Sequence, residues 1–385
     1  MPTCQRDLVH VPDGLHYLNC AYLAPLLKSV EAAGIEALRR RHDPTSITAS
    51  DFFTGADRAR ALFGELVGGE AARVAIIPGV SYGMATIAKN LRLRAGQNVV
   101  VAHGQFPSNV YGWRRRCDES GASLRAVAPP ETTEGRGREW NARLLEAIDG
   151  DTALVTLGNV YWADGTRFDL EAIGERAREV GAMLVVDGSQ SIGALPFDLR
   201  RVRPDALVCA SYKWLFGPYG LSLAWYGERF DGAEPLEETW LGRRGSEDFA
   251  RLVEYEDEYQ PGAARFDMAQ RSSFVLMPML IAALEQVLAW GPANVQAYGG
   301  ELTREMVGEA RSLGYRIEDE ALRGAHLFGI HLPAGADPAR LQAALRERRV
   351  SVSQRGDALR VAVHLFNTPD DVAALADALR AALHR

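Results

Sequence analysis

Short, nearly unbroken apolar blocks recur along the first part of the chain, with longer amphipathic stretches between them. The blocks at residues 74–77, 98–102, 153–157, 183–187, 206–210 and 221–225 have the length and composition of strands buried on both faces. Apolar positions recur at helical spacing at residues 81–91, 111–120 and 170–180. Strands alternating with helices predict βαβ units. The expected fold is therefore α/β, with a mostly parallel sheet covered on both sides.

The pattern changes at either end of this stretch. Residues 1–20, with Pro2, Pro12 and Gly14, lack periodicity and read as an arm packing on a smaller domain. A large domain is expected over residues 21–264, closing with a polar excursion rich in Gly and Glu at 228–264. Residues 265–385 are expected to form a small α+β domain, with helices at 278–290, 301–312, 338–347 and 369–383 and strands at 326–332 and 358–364. No internal repeat or low-complexity tract is visible.

Composition narrows the function classes. The chain has 385 residues, 47% of them hydrophobic, and a formal net charge of -7. That charge argues against a nucleic-acid partner, and the basic runs Arg39-Arg40-Arg41 and Arg114-Arg115-Arg116 sit in helical patterns as solvated faces. No apolar run approaches the roughly 18 residues of a membrane span, and no leader pattern opens the chain, so a cytoplasmic location is expected. Cys4, Cys20, Cys117 and Cys209 are scattered, which predicts reduced thiols and no metal site. Of the 43 basic Lys and Arg residues only three are lysines, Lys28, Lys89 and Lys213. Lys28 and Lys89 fall on surface-like helices. A lysine retained in so arginine-rich a chain is a candidate for chemistry that needs an amine, because a guanidinium neither deprotonates near neutrality nor forms an imine.

In open α/β sheets ligands gather beyond the carboxyl ends of the strands. Three segments there carry chemistry. Pro78-Gly79-Val80-Ser81 leads into a helix, and its free N–H groups suit a phosphate, although Ser81 could equally be a plain N-cap. Asp187 ends one apolar block, in Asp187-Gly188-Ser189-Gln190. Lys213 follows the next, in Ser211-Tyr212-Lys213-Trp214. A lysine and a carboxylate at successive strand ends match the needs of pyridoxal phosphate (PLP), which takes a lysine amine on its aldehyde and an acid on its pyridine nitrogen.

These two segments resemble those of the class V aminotransferase family, which includes cysteine desulfurases, kynureninases and isopenicillin-epimerase-like enzymes. Three further segments extend the resemblance: Phe106-Pro107-Ser108-Asn109, Asn159 in Gly158-Asn159-Val160, and Leu359-Arg360-Val361-Ala362 with Phe366-Asn367-Thr368. The resemblance implies the fold of PLP-dependent transferases of type I. It implies PLP as cofactor, held as a Schiff base on Lys213, which also moves the Cα proton. Asp187 would pair with the pyridine nitrogen, Phe106 would stack on the ring, and Asn159 and Gln190 would approach its oxygen. Gly79, Val80, Ser81, Ser211 and Tyr212 would hold the phosphate. Arg360 would grip the α-carboxylate of an amino-acid substrate. A homodimer with shared active sites is implied by the resemblance alone.

The departures matter too. Desulfurases of this family carry a nucleophilic cysteine on a loop before the closing arginine, and residues 350–356 contain none. Tyr212 and Phe106 stand where desulfurases usually have histidines. Ala269-Gln270 replaces a Gly-Thr pair that reaches the neighbouring subunit's phosphate, leaving Gln270, Arg271 or Ser272 as substitutes. An aminotransferase is the expectation. The alternatives are a kynureninase-like or C–S/C–C lyase, an amino-acid epimerase, and, remotely, a non-catalytic cofactor-binding protein. A nucleotide-dependent dehydrogenase is disfavoured, because no glycine-rich nucleotide motif is present. Trp162 and Tyr111 are candidates for a substrate pocket, His103 for acid–base work, and Arg355 for a second substrate carboxylate.

Overall fold

A computed structural model describes residues 3–132, 134–333 and 336–383. The chain opens with a two-residue strand, β1 (His16–Tyr17), and two helices, α1 (Lys28–Arg40) and α2 (Thr54–Val67). There follow β2 (Val74–Ile77), α3 (Val80–Asn90), β3 (Asn98–Ala102), α4 (Tyr111–Ser120), β4 (Ser123–Val127), α5 (Arg136–Ala147) and β5 (Thr152–Gly158). Next come α6 (Leu170–Val180), β6 (Met183–Asp187), the single turn α7 (Leu199–Val202), β7 (Ala206–Ala210) and β8 (Ser222–Tyr226). The last third holds α8 (Leu276–Trp290), α9 (Pro292–Ser312), β9 (Leu327–His331), α10 (Pro338–Glu347), β10 (Val350–Ser351), β11 (Ser353–Arg355), β12 (Ala358–Ala362) and α11 (Pro369–Ala381).

Seven strands form the central sheet in the order β2-β8-β7-β6-β5-β3-β4. The pairs from β7 through β4 are parallel, while β8 runs antiparallel to β7 and β2. The architecture is the expected α/β one, a mostly parallel sheet under helices. Strands β2, β3, β6 and β7 are buried at every position, as expected of apolar runs with helices on both faces. The edge strand β4 is different. Its residues are exposed or half-buried, and its sequence Ser-Leu-Arg-Ala-Val carries no continuous apolar signal, so the block pattern misses it.

A second, smaller sheet of three antiparallel strands has the order β11-β12-β9. It has its own apolar core, with Phe328, Ile330, Leu359 and Val361 from the strands and Leu375 and Leu379 from α11. Helix α8 buries Met277, Leu280, Ala283, Leu284, Val287 and Trp290, spaced three and four apart, in the core of the larger body. On α9, Val295 still packs in the larger core, and Met306 packs in the smaller one. No single helix among the described residues is long and apolar enough to cross a membrane.

The amino-terminal segment lies against the small sheet. β1 pairs in parallel with β10, His16 opposite Val350. Beyond it the Leu18 carbonyl accepts from the Ala362 amide at 2.8 Å, and the Leu18 side chain joins the smaller core. Two-residue strands leave no periodicity to read, and their pairing is entirely non-local.

Candidate active site

The carboxyl ends of β5, β6 and β7 and the amino end of α3 surround a cavity of about 390 Å3. Gly79, Val80, Ser81, Phe106, Asp187, Gln190, Tyr212 and Lys213 all line it. A second recess of about 350 Å3 shares Phe106, Trp162, Gln190, Tyr212 and Lys213 with the first and adds Arg355 and Arg360. Large and small bodies therefore contribute to one continuous site.

Lys213 stands in the connection between β7 and β8. Because β8 runs antiparallel to β7, this return loop doubles back at the strand ends, and the Gly217 amide closes it onto the Ser211 carbonyl at 2.9 Å. One glycine makes room for it. Gly193 has φ +95°, and a Cβ there would sit 2.5 Å from the Trp214 carbonyl oxygen. The Lys213 side chain is 8% exposed, with Nζ 5.5 Å from the Phe106 ring centroid and 5.6 Å from that of Tyr212. Burial lowers its pKa to about 8; the Asp187 charge opposes that shift, and Arg360 adds to it. Asp187, 9% exposed, accepts from the Ser189 amide at 3.0 Å, and burial raises its pKa above the usual carboxylate value.

Gln190 is held from three directions. Its Nε2 donates to the Ala21 carbonyl at 3.1 Å, and its Oε1 accepts from Trp214 Nε1 at 2.9 Å. Its own carbonyl faces His326 Nε2 at 2.8 Å, while His326 Nδ1 is 2.8 Å from Gln296 Nε2. An amide nitrogen can only donate, so His326 Nδ1 accepts and its Nε2 carries the proton given to Gln190. Burial pushes the His326 pKa down to about 4, which keeps this neutral tautomer.

Arg360 lies on β12, 2% exposed, donating from Nη1 to the Trp162 carbonyl at 2.9 Å. Its Nε is buried without a partner among the described residues. Burial first, and then the charge of Arg355, lowers its pKa to about 10, so it remains a cation. Neither arginine makes an ion pair with a carboxylate among the described residues.

Two expected contributors are not brought to the cavity. Asn159 turns away, because neighbours along an extended chain face opposite sides: Gly158 and Val160 line the cavity, while Asn159 lines a groove behind it and its Nδ2 donates to the Phe168 carbonyl at 3.4 Å. Ser211 is fully buried, its Oγ 2.9 and 2.5 Å from the carbonyl oxygens of Pro218 and Leu221, so its hydroxyl braces the lysine loop. His103 and Tyr111 are exposed and line neither recess. Arg271 is buried against Asp267 at 2.6 Å and Ser272 is also buried, leaving Gln270 exposed.

Sequence reasoning passed over Gln105, Ser108, Ser189 and Tyr219, which all line the first recess. Gln105 is notable because its Nε2 is buried and has no partner among the described residues. Ser189 could have been found, since it sits two residues beyond Asp187. Gln105 follows a strand by three residues and carries no motif.

The site fits PLP on its own donors. A buried amine able to lose its proton lies with a buried carboxylate beside an aromatic ring. The end of α3 has no side-chain cap, and the space above Gly79 is open. With the orphan amide of Gln105, that end offers the unsatisfied donors a phosphate requires.

A lysine and a carboxylate at adjoining strand ends of a mostly parallel sheet are an arrangement suited to PLP. The sequence profile of "Aminotransferase class-V" matches residues 36–384, and the chain belongs to that family. It is 25% identical to the uncharacterized aminotransferase YcbU of Bacillus subtilis, over 82% of this chain and 80% of that one. It is 24% identical to the isopenicillin N epimerase of Streptomyces clavuligerus, over 84% of this chain and 83% of that one. Its fold is shared with the apo cysteine desulfurase of Thermococcus onnurineus, with a TM-score of 0.80 at 17% identity, covering 98% of this chain and 97% of the other.

Proposed function

We propose that this chain is a PLP-dependent aminotransferase acting at the α-carbon of an amino acid. The observation that carries the reading is the opposition, in one cavity, of a buried lysine with a pKa near 8 and a buried arginine with an unpartnered Nε. PLP, when bound, supplies an electron sink for negative charge at the substrate α-carbon.

The remaining steps fall to this chain's own residues. Lys213 would hold the cofactor through Nζ and would also take the substrate's α-proton and return it elsewhere. A pKa near 8 suits both duties, since the amine is partly neutral at physiological pH yet basic enough to accept a proton. Asp187 would pair with the cofactor's ring nitrogen and keep a proton on it. A cation there would offset the desolvation that raises the Asp187 pKa. The end of α3 and Gln105 take the phosphate. Arg360 receives the α-carboxylate with its free Nε edge, which fixes the Cα–H bond relative to Lys213. Phe106, edge-to-face with Trp162 at 5.5 Å between ring centroids, walls water from the amine.

The epimerase relative supports a second reading, return of the proton to the opposite face of the α-carbon. Incubation of PLP-loaded enzyme with single amino acids tests both. A burst of keto acid stoichiometric with enzyme, completed to turnover by a second keto acid, is the expected result. Inverted amino acid without keto acid would establish the second reading, and a released side-chain fragment would establish a lyase.

The chain is further proposed to work as a homodimer. Tyr22 and Leu23 at the cavity mouth and Ile35 and Leu38 on α1 are 60%, 45%, 42% and 55% exposed, an apolar run suited to a second copy. Light scattering checks the mass.

A further inference from the structure

Arg355 has no place in the mechanism above, yet it shares the recess with Arg360. The register of the small sheet explains why. Arg355 pairs with Ala358 across the β11–β12 hairpin, and Arg360 lies two residues along from Ala358 on the same face. The two arginines thus occupy diagonal positions on one side of the sheet, about 7–8 Å apart at the backbone. Long side chains from such positions reach into a common volume.

The charges in that volume are unbalanced. The recess has no acidic lining residue, and its other walls include Tyr22, Leu23, Phe106 and Trp162. Asp357, the acid nearest Arg355 in sequence, is turned to His331 Nδ1 at 3.2 Å. Among the described residues Arg355 donates from Nη1 to the carbonyl of its neighbour Gln354, at 2.8 Å, and its Cζ stands 5.8 Å from the Trp162 ring centroid. Among the described residues, one guanidinium is buried with a free Nε edge, and a second faces the same space without a counter-ion. A substrate with one carboxylate leaves half of this field uncompensated. A substrate with two anionic ends compensates all of it.

We infer that Arg355 and Arg360 form a two-anion subsite, so that the preferred substrate is an acidic amino acid of aspartate or glutamate size. The α-carboxylate lies on Arg360 and the side-chain carboxylate on Arg355, with the intervening methylenes against Trp162 and Phe106. This rests on the reading of Arg360 as the α-carboxylate site. Arg355 acts as a specificity residue and takes no part in moving protons.

Calorimetric titration of the PLP-loaded enzyme with inert acids tests the subsite directly, because acids lacking an amine bind without reacting. Succinate and glutarate are expected to bind about tenfold or more tightly than propionate and butyrate, a margin of about 1.4 kcal/mol. Arg355→Gln removes that margin, Arg355→Lys keeps part of it, and Arg360→Gln weakens both kinds of acid. Equal affinities in the parent enzyme, or a margin that survives Arg355→Gln in a folded variant, overturn the inference. Urea melts of each variant identify folding failure, and the parent's comparison of mono- with dicarboxylates needs no variant at all. Turnover of amino acids without the dicarboxylate margin rejects this inference and leaves the aminotransferase reading standing. The margin without any amino-acid turnover does the reverse.

Discussion

The lysine loop and the arginine hairpin face each other across one cavity and are both buried, yet burial has opposite chemical consequences for them. Loss of solvation lowers the pKa of Lys213 to about 8 and that of Arg360 to about 10. The first value lets an amine shed its proton under physiological conditions; the second leaves a permanent cation. The same desolvation thus makes a nucleophile and base on the large body and an anion clamp on the small one. The difference lies in where each group starts, and it explains why neither residue could stand in for the other.

The sharpest way to break the comparison is to remove the amine. Lys213→Ala should abolish covalent capture of PLP, so that borohydride reduction leaves no pyridoxyl adduct on the peptide spanning that position. Activity should fall by about 10³-fold or more. The counterpart on the other side is milder. Arg360→Gln should lower kcat/KM for amino acids by about 10²-fold, on the order of 3 kcal/mol, while leaving covalent PLP capture intact.

A third experiment sharpens the contrast in charge. Because burial lowers the Lys213 pKa, the neutral amine gains population as pH rises through about 8. Covalent uptake of PLP by apoenzyme should therefore be about tenfold slower at pH 7 than on its plateau above about pH 9. Stopped-flow absorbance at several pH values measures this, and a rate flat from pH 6 to pH 9 would contradict the assignment.

The smallest effect is expected at His326, which touches neither group. His326→Phe leaves the Gln190 carbonyl without its donor and takes from the Gln296 amide one of its two acceptors, at a cost of about 1–3 kcal/mol in urea unfolding. It should also shift the midpoint of the uptake profile, because Gln190 is tied to Trp214 beside the lysine. His326→Gln, which can still donate, should restore that midpoint.

Much of this arrangement was legible before any coordinates, for definite reasons. The sheet strands are apolar and local, so β2, β3, β6 and β7 announce themselves as blocks. Asp187 and Lys213 stand out because charged residues directly after such blocks are rare inside proteins. Arg360 was reached through family resemblance. What stayed hidden depended on direction or distance. Alternation along the extended chain decides that Gly158 and Val160, not Asn159, face the cavity. Rotation of one hydroxyl turns Ser211 into the brace of a loop. Ala21, Gln190 and His326 meet through pairings that no local pattern encodes.

The clasp between Leu18 and Ala362 sets a timetable for this protein's birth. Residues 16–18 find their partners only when β10 and β12, far later along the chain, have been made. Until then Leu18 lacks its partners in the smaller core, and Arg360 has not been made. The cofactor pocket therefore cannot mature domain by domain, and a chain halted before β12 would carry Lys213 in a half-built site.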